Sequence, residues 1–361
     1  MKSFVLTETN DYLQEILKAL DFESLNNFLN EHLRVKMNFE ELVSQISIYG
    51  MEALNKENIT QMFFDAIFYE ISIVRPLFVK ILLFSILFSL AHRVLLTNST
   101  YVSSMGFLMI YTTLMVLLMQ SFFLVRDIVM EGMNSMLNFL NALIPTYSMT
   151  LIFTGNTVSG AASYEIGFFL VYFVEFMMKN FLSPMIHVFI LVLFLNHLFD
   201  EDKLSKLAEF IEKIVTTILK VGFGAVVGLS VIQSILTPVK DRLANHVVLS
   251  GMSSIPGVGG TLGSAGEIIL SCGMLIKNSV GIVGLVILLL VAVIPVLKIG
   301  CFWFMYHVLA IVLQPLADKR ITECVLGVAR GCDLYLKMML YSMLLFFVLF
   351  SMVAVATSFV F

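Results

Sequence analysis

Residues 250–278, SGMSSIPGVGGTLGSAGEIILSCGMLIKN, interrupt an otherwise apolar chain with one proline and closely spaced glycines. Proline removes a helical hydrogen-bond donor, and glycine weakens helix propagation while allowing backbones to approach closely. Irregular backbone at membrane depth is tolerated only where protein buries it or where it lines a watery cavity. The stretch therefore predicts a sheltered helix break. The residues of this predicted break are Pro256, Gly257, Gly259, Gly260 and Gly263.

Closely spaced glycines also occur in helix packing and in phosphate-binding loops. In many membrane bundles small residues serve only to let two helices pack closely, and these glycines could do the same. A phosphate-binding loop is a poor alternative, because no Lys-Ser or Lys-Thr follows the glycines and no strand precedes them. The choice between a helix break and simple packing stays open at this point.

The composition indicates an all-α polytopic membrane protein. The chain is 59% hydrophobic and 13% charged, whereas soluble domains have roughly 25% charged residues. The net charge of −4 comes from both signs, so no basic surface indicates a nucleic-acid partner. Neither a metal site nor a cofactor is expected, and the cysteines are interpreted as small core residues. These cysteines are Cys272, Cys301, Cys324 and Cys332.

Residues 1–70 differ from the rest in being more polar, with apolar positions at helical spacing. They are predicted to form extramembrane amphipathic helices that pack on one another or on a partner. The first residues lack the basic cluster and apolar run of a signal peptide. Residues 71–101 are assigned to the first transmembrane span.

Spans are predicted wherever about 20 apolar residues occur together, and the first of them is the one within 71–101. They lie at 76–96, 102–124, 134–154, 158–198, 220–237, 279–297, 299–316 and 338–359, and the fourth contains two helices broken near Lys179 to Pro184. This pattern predicts about six to eight crossings. Residues 202–220 and 319–337 each carry one apolar stripe and are predicted to lie in the membrane interface. The alternative is a connector packed on the bundle.

An internal repeat joins these segments into two copies, 102–220 and 221–337, followed by a last span at 338–361. Both copies contain an Ile-Pro pair, at Pro145 and Pro256, and later a Lys-Asn pair that begins at Lys179 or Lys277. Breaks at corresponding positions of two repeats indicate a binding site or pathway in transporter-like folds. The alternative is that duplication only copied a packing motif.

Charged residues within the apolar region are also site candidates. Burying an ionisable group at membrane depth costs free energy unless the group pairs with an opposite charge or contacts water. Glu165 and Lys179, and likewise Glu267 and Lys277, could pair or border a cavity. The lysines could instead extend to the headgroup level. Glu175 is a further candidate, and a lone histidine such as His187 is usually a hydrogen-bonded packing residue.

The glycine-rich run and the segments that follow it resemble the stage III sporulation protein AE family of endospore-forming bacteria. The resemblance rests on SSIPGVGGTLGSAGEIILSCGMLIKNSVGIVGLVILL, then PVLKI, then LQPLADKRITE. It covers roughly residues 100–359. A more distant likeness connects the duplicated spans around an Ile-Pro pair to permeases of the autoinducer-exporter type.

The resemblance implies a multi-pass protein of the mother-cell membrane around the forespore. It also implies partners, namely the other proteins of the stage III sporulation A operon and a forespore membrane protein. Together they would form a transenvelope channel complex needed for endospore development. A homo-oligomer is also possible.

The sequence therefore predicts a non-enzymatic membrane component of this channel complex, in which the two breaks and nearby charges form a permease-like conduit. One alternative is a structural scaffold that anchors ring-forming partners, and another is a stand-alone small-molecule exporter. An intramembrane enzyme is a poor alternative, because the sequence shows no metal-protease motif and no nucleophile paired with a base.

Overall fold

The computed structural model describes residues 20, 22–32, 38–49, 72, 75–87, 100–153, 159–198, 203–252, 261–317 and 319–356. Within these ranges all regular elements are helical, which confirms the all-α prediction. In chain order they are α1 (Glu23–His32), α2 (Phe39–Tyr49), α3 (residues 75–87), α4 (Thr100–Phe153), α5 (Ser159–Met177), a π-helical turn (Met178–Leu182), α6 (Ser183–Leu198), α7 (Ser205–Met252), α8 (Thr261–Leu313) and α9 (Lys319–Ala356).

The two longest helices, α4 and α8, pack against each other in antiparallel register. Ser121 of α4 faces Tyr306 of α8, and farther along α4, Gly132 faces Pro295. Beyond that level, Tyr147 faces Gly281. Across these three contacts, residue numbers fall along α8 as they rise along α4. At a rise of 1.5 Å per residue, the contact between the two helices is therefore about 40 Å long. We call this contact the α4–α8 seam.

Helix α9 lies at the centre of the bundle. It runs antiparallel to the α5–α6 pair, since Gly327 faces Leu193 while Ser342 faces Glu175 farther along. Its buried stripe is fully enclosed by neighbouring helices. Stripe residues with no exposed surface include Cys324, Val325, Val328, Ala329, Cys332, Leu334, Tyr335, Met338 and Met339. The two cysteines in this stripe confirm the prediction of core packing at those positions.

The two N-terminal helices pack on one another and on the long helices. The side-chain oxygen of Asn26 in α1 accepts a 2.8 Å hydrogen bond from the backbone N–H of Phe39 in α2. The ring of Phe28 lies 5.4 Å from Phe139 of α4. Ser47 of α2 donates a 2.8 Å hydrogen bond to Ser279 of α8. The first described residues are therefore anchored to the apolar bundle.

Several predicted boundaries fall inside continuous helices. The predicted spans 102–124 and 134–154 are both parts of α4, and 279–297 and 299–316 are both parts of α8. The exposed Pro145 lies within α4, which continues as a helix to Phe153. The helix therefore does not end at this proline. The neighbouring helices that pack along α4 stabilise it as one continuous helix.

The prediction that 202–220 and 319–337 form separate helices is wrong, and the alternative in which they pack on the bundle fits the structure better. Each segment belongs to the first part of a longer helix, α7 or α9, that continues along the bundle axis. Part of each apolar stripe is covered by protein, as Val215 and Val328 show with no exposed surface, whereas Leu207 and Ile218 remain exposed. The sequence pattern was amphipathic because the bundle covers one face, while polar residues such as Lys206 remain on the other.

Four described helices are long and apolar enough to cross a membrane, at Tyr111–Thr150, Ile166–His197, Asn278–Leu313 and Lys319–Phe350. Helix α4 has 54 residues, which gives a length of about 80 Å at 1.5 Å per residue. The hydrocarbon core of a bilayer is only about 30 Å thick. A straight α4 therefore extends well beyond one bilayer core.

A charged layer crosses the bundle midway along these helices. We define it by Arg126, Asp127, Glu131, Lys179, Lys298, Asp333 and Lys337. Within it, Arg126 pairs with Asp127 at 3.5 Å, and Lys337 pairs with Asp333 at 2.6 Å. Charges on outward-facing positions are tolerated where water or lipid headgroups reach them. We therefore expect water or lipid headgroups to reach the bundle surface at this level.

Candidate functional site

The helical path between α5 and α6 is deformed at the point where the sequence predicts a break. Residues Met178–Leu182 form a π-helical turn, closed by the Ser183 N–H bonding to the carbonyl of Met178. Pro184 explains the deformation, because a proline ring clashes with the carbonyl four residues before it in an α-helix. The predicted break is thus a widened turn in a helix that continues on both sides. Such turns are frequent at functional sites.

Glu175 lies one turn before this deformation and is completely buried, with 0% of its surface exposed. One carboxyl oxygen, Oε1, shares a hydrogen bond with the hydroxyl of Ser342 on α9. The second oxygen, Oε2, is buried and has no hydrogen-bond partner among the described residues. A buried polar atom without a partner is costly and is uncommon in packed cores.

Lys179 lies four residues after Glu175, inside the π-helical turn, and is only partly buried. Its ammonium group donates a 2.6 Å hydrogen bond to the side-chain oxygen of Asn134 on α4. Asn134 is exposed, so the ammonium lies towards the bundle surface in the charged layer. The cation thus lies in the charged layer, one helical turn from the buried carboxyl.

A second group of polar side chains lies on the α6 side of the turn. The hydroxyl groups of Ser183 and Tyr335 are 3.0 Å apart. His187 places Nδ1 2.9 Å from the carbonyl oxygen of Ser183, while its buried Nε2 has no partner among the described residues. The rings of Phe122 and Phe123 lie 5.5 and 5.3 Å from the imidazole. His187 is therefore a hydrogen-bonded packing residue, in agreement with the sequence-based interpretation.

A half-open cleft of about 300 Å³ lies at the same level, on the opposite side of α4. Helices α1, α4 and α8 line it, and its charged residues are Glu31, Glu131 and Lys298. Gly132 and Pro295 contribute its apolar wall. The cleft shows that the N-terminal helices meet the charged layer of the long helices.

The residues predicted for a conduit are only partly described. Lys179 lies at the deformed turn, whereas Pro145 lies on an exposed part of α4. The remaining predicted residues fall into two groups. The backbones of Glu165, Gly263, Glu267 and Lys277 lie in helices α5 and α8, and their side chains are outside the described part. Pro256, Gly257, Gly259 and Gly260 lie outside the described residues altogether.

The two charge pairs suggested by the sequence do not fit the observed helices. Glu165 and Lys179 belong to one helical run, where a separation of 14 residues corresponds to about 21 Å along the axis. Glu267 and Lys277 both lie in α8, where 10 residues correspond to about 15 Å. Continuous helices keep the members of each pair apart, whereas pairing would need the chain to fold back between them.

Sequence reasoning missed the partners that come from distant helices. Ser342, Tyr335 and Asn134 are ordinary polar residues of apolar helices, and their roles depend on the register of α9 and α4. Glu131 and Lys298 carried a usable signal, because each interrupts a long apolar run. They fall in gaps between the predicted spans, whereas they belong to the charged layer of continuous helices.

Comparison with known proteins agrees with a sporulation-related membrane protein. The family described as stage III sporulation protein AE (spore_III_AE) matches residues 37–357. A relative from Bacillus subtilis (strain 168), named "Stage III sporulation protein AE", is 27% identical over 225 residues. That match covers 62% of this chain and 56% of the relative, so the chain spans little more than half of the relative's length. No solved structure matches this chain. Because the family match covers most of the sequence, this helical membrane protein belongs to the stage III sporulation protein AE family.

Proposed function

We propose that this chain is a multi-spanning, non-enzymatic subunit of the transenvelope channel complex between mother cell and forespore, and that it acts there as a packed membrane scaffold. Membership of the family supports a role in sporulation. The four apolar helices support a position within a membrane. The proposed partners are the other proteins of the stage III sporulation A operon and a forespore membrane protein. The proposed location is the mother-cell membrane around the forespore.

The observation that carries the scaffold role is the close approach of α4 and α8 along their seam. A methyl group placed on Gly132 would lie 2.7 Å from Pro295, so the two helices touch directly beside the cleft. On Gly284 it would lie 3.2 Å from Leu143 and 3.0 Å from Phe350. This seam joins the two predicted repeats, so a conduit between them would have to pass through it. Close packing of the described residues there favours a scaffold.

Exposed apolar faces give such a scaffold surfaces for lipid and partner subunits. Met109 and Phe169 each expose 70% of their surface, and Ile311 exposes 67%. These residues lie on three different helices, α4, α5 and α8. Large exposed apolar areas on a folded chain indicate contact with membrane or with other proteins.

A permease-like conduit is the second candidate function. The buried carboxyl of Glu175 beside a π-helical turn favours it, since ionisable groups within membrane helices commonly belong to ion or proton pathways. The helix directions are also compatible with the predicted duplication. Both α5–α6 in the first predicted copy and α8 in the second run antiparallel to α9. The corresponding helices of the two predicted copies would then run in the same direction, as in a parallel repeat.

Site-specific photo-crosslinking in sporulating cells tests the subunit proposal. A photoreactive amino acid would replace Met109, Phe169 or Ile311, one at a time, and adducts would be identified by mass spectrometry. We expect at least one position to give adducts with proteins of the same operon. Val129, which has no exposed surface, is the matched control and should give only internal adducts. Lipid adducts alone at all three exposed positions would contradict the proposal.

A further inference from the structure

Glu175 is the one ionisable side chain among the described residues that is buried completely and keeps a carboxyl oxygen without a partner. Transferring an isolated ionised carboxylate out of water is so costly that such a group usually becomes neutral instead. A single hydroxyl, that of Ser342, does not provide the several hydrogen bonds that a buried carboxylate needs. The geometry therefore suits a neutral carboxyl better than an ionised one.

The charged groups on the packed helices do not neutralise this carboxyl. On α9, Lys337 is bound to Asp333 at 2.6 Å, and on α4, Arg126 is bound to Asp127 at 3.5 Å. On α7, Lys220 is exposed on the outer surface. Lys179 of the π-helical turn remains, and its ammonium is engaged by Asn134.

Lys179 nevertheless lies within reach of Glu175. Side chains four residues apart lie on the same face of a helix and can pair. The Lys179 side chain is flexible and its present partner, Asn134, is neutral, so an ionised carboxylate would compete for the ammonium. The carboxyl is thus one helical turn away from a flexible cation in the charged layer.

We propose that Glu175 is a proton-binding site inside the membrane bundle, and that Lys179 moves from Asn134 to the carboxylate when the proton leaves. Ser342 holds the carboxyl in place in both states. The ligand is the proton itself, exchanged with water at the charged layer. This proposal goes beyond the scaffold role and does not depend on it, because it concerns one side chain within the chain.

Dicyclohexylcarbodiimide provides the test, because this apolar reagent modifies protonated carboxyl groups in apolar surroundings. The purified full-length protein would be treated in detergent micelles over a range of pH, and modified peptides would be quantified by mass spectrometry. We expect Glu175 to be modified and the modification to fall as pH rises. Glu131, which is exposed, is the control carboxyl and should stay unmodified. Glu175→Gln should remove the adduct while the protein remains folded.

The role of Lys179 predicts a shift in the same pH profile. In Lys179→Met the ionised carboxylate has no cation to pair with, so the midpoint of modification should move upward by about one pH unit or more. Lys179→Arg keeps the charge and should leave the midpoint near that of the unchanged protein. The proposal is overturned if Glu175 stays unmodified at low pH in folded protein, or if the Met variant leaves the midpoint in place. Protection by sodium at constant pH would also overturn it, in favour of a cation site.

Thermal stability gives a second readout that needs no reagent. At a pH below the midpoint of modification, Glu175→Gln replaces a neutral carboxyl by a neutral group of the same shape, and the melting temperature should change little. At a pH above the midpoint, the same variant removes the partner of the Lys179 ammonium and should lower the melting temperature clearly. A change of equal size on both sides of the midpoint would contradict the proposal.

Discussion

Two contacts between helices of this bundle differ in the groups that meet near the charged layer. The α4–α8 seam is held by shape, with Gly132 against Pro295 and Gly284 against Leu143. The contact of the α5–α6 pair with α9 contains polar groups on both sides of the π-helical turn, with Glu175 on Ser342 and Ser183 near Tyr335. The first contact should therefore be sensitive to added volume. The second should be sensitive, near the π-helical turn, to lost hydrogen bonds.

The largest effect is expected from added volume in the α4–α8 seam. Gly132→Leu would force carbon atoms into the space of Pro295 and of the Met339 methyl group, which lies 2.9 Å from an added Cβ. Overpacking typically costs about 1–3 kcal/mol and occasionally more, so we expect a clear loss of thermal stability in detergent. Gly300→Leu is the matched control, because nothing lies within 4 Å of a Cβ at that position of α8. Equal losses in both variants would show that the seam is not closely packed.

The next effect is expected from the polar contact. Ser342→Ala removes the only hydrogen-bond partner that the described residues give to the buried Glu175 carboxyl. Leaving such a group without a partner costs about 1–3 kcal/mol, which thermal unfolding should detect. Thr112→Ala is the control, since Thr112 is exposed and bonds only to carbonyls of its own helix. A loss no greater than that of the control would mean that the contact contributes nothing.

A smaller effect is expected from removing the π-helical turn. Such a turn amounts to one extra residue in an α-helix, so deleting the exposed Asn180 together with Pro184→Ala should restore a regular helix and keep both flanking registers. The double variant should fold with a small change in melting temperature. Deleting Phe173 instead turns the flanking residues by about 100°, because the helix has 3.6 residues per turn, and should abolish folding. Failure of both deletions would mean that the widened turn itself is required.

The smallest effect is expected at the attachment of the N-terminal helices. Ser47→Ala removes a 2.8 Å hydrogen bond between α2 and Ser279 of α8. The loss should be about 1 kcal/mol, and it should appear as faster limited proteolysis of residues 20–49 while the bundle stays intact. Gln45→Ala is the control, since Gln45 bonds only to Glu41 of its own helix. If both variants are digested at the same rate, the Ser47–Ser279 hydrogen bond does not hold the N-terminal helices on the bundle.

Local composition predicted the helical class and the position of the deformed turn. The other features depend on how helices that are distant in sequence align with one another. The apolar runs and Pro184 are visible in the sequence, so the membrane class and the irregularity near residues 179–184 could be predicted. The continuity of α4 through Pro145 could not, because it depends on neighbouring helices that pack along it. The pairing of Glu175 with Ser342 could not either, because 167 residues separate them. The predicted duplication stays a prediction.

Water accessibility of the α4–α8 seam in native membranes tests the scaffold account most directly. Single cysteines would replace Leu143 and Ile287, each about 1% exposed, in a chain whose natural cysteines are replaced. A hydrophilic thiol reagent would be applied to both faces of membranes from sporulating cells, with Glu131→Cys in the charged layer as the accessible control. The account predicts labelling of the control and protection of both seam positions. Labelling of both seam positions at the rate of the control would contradict it and support a conduit between the two halves.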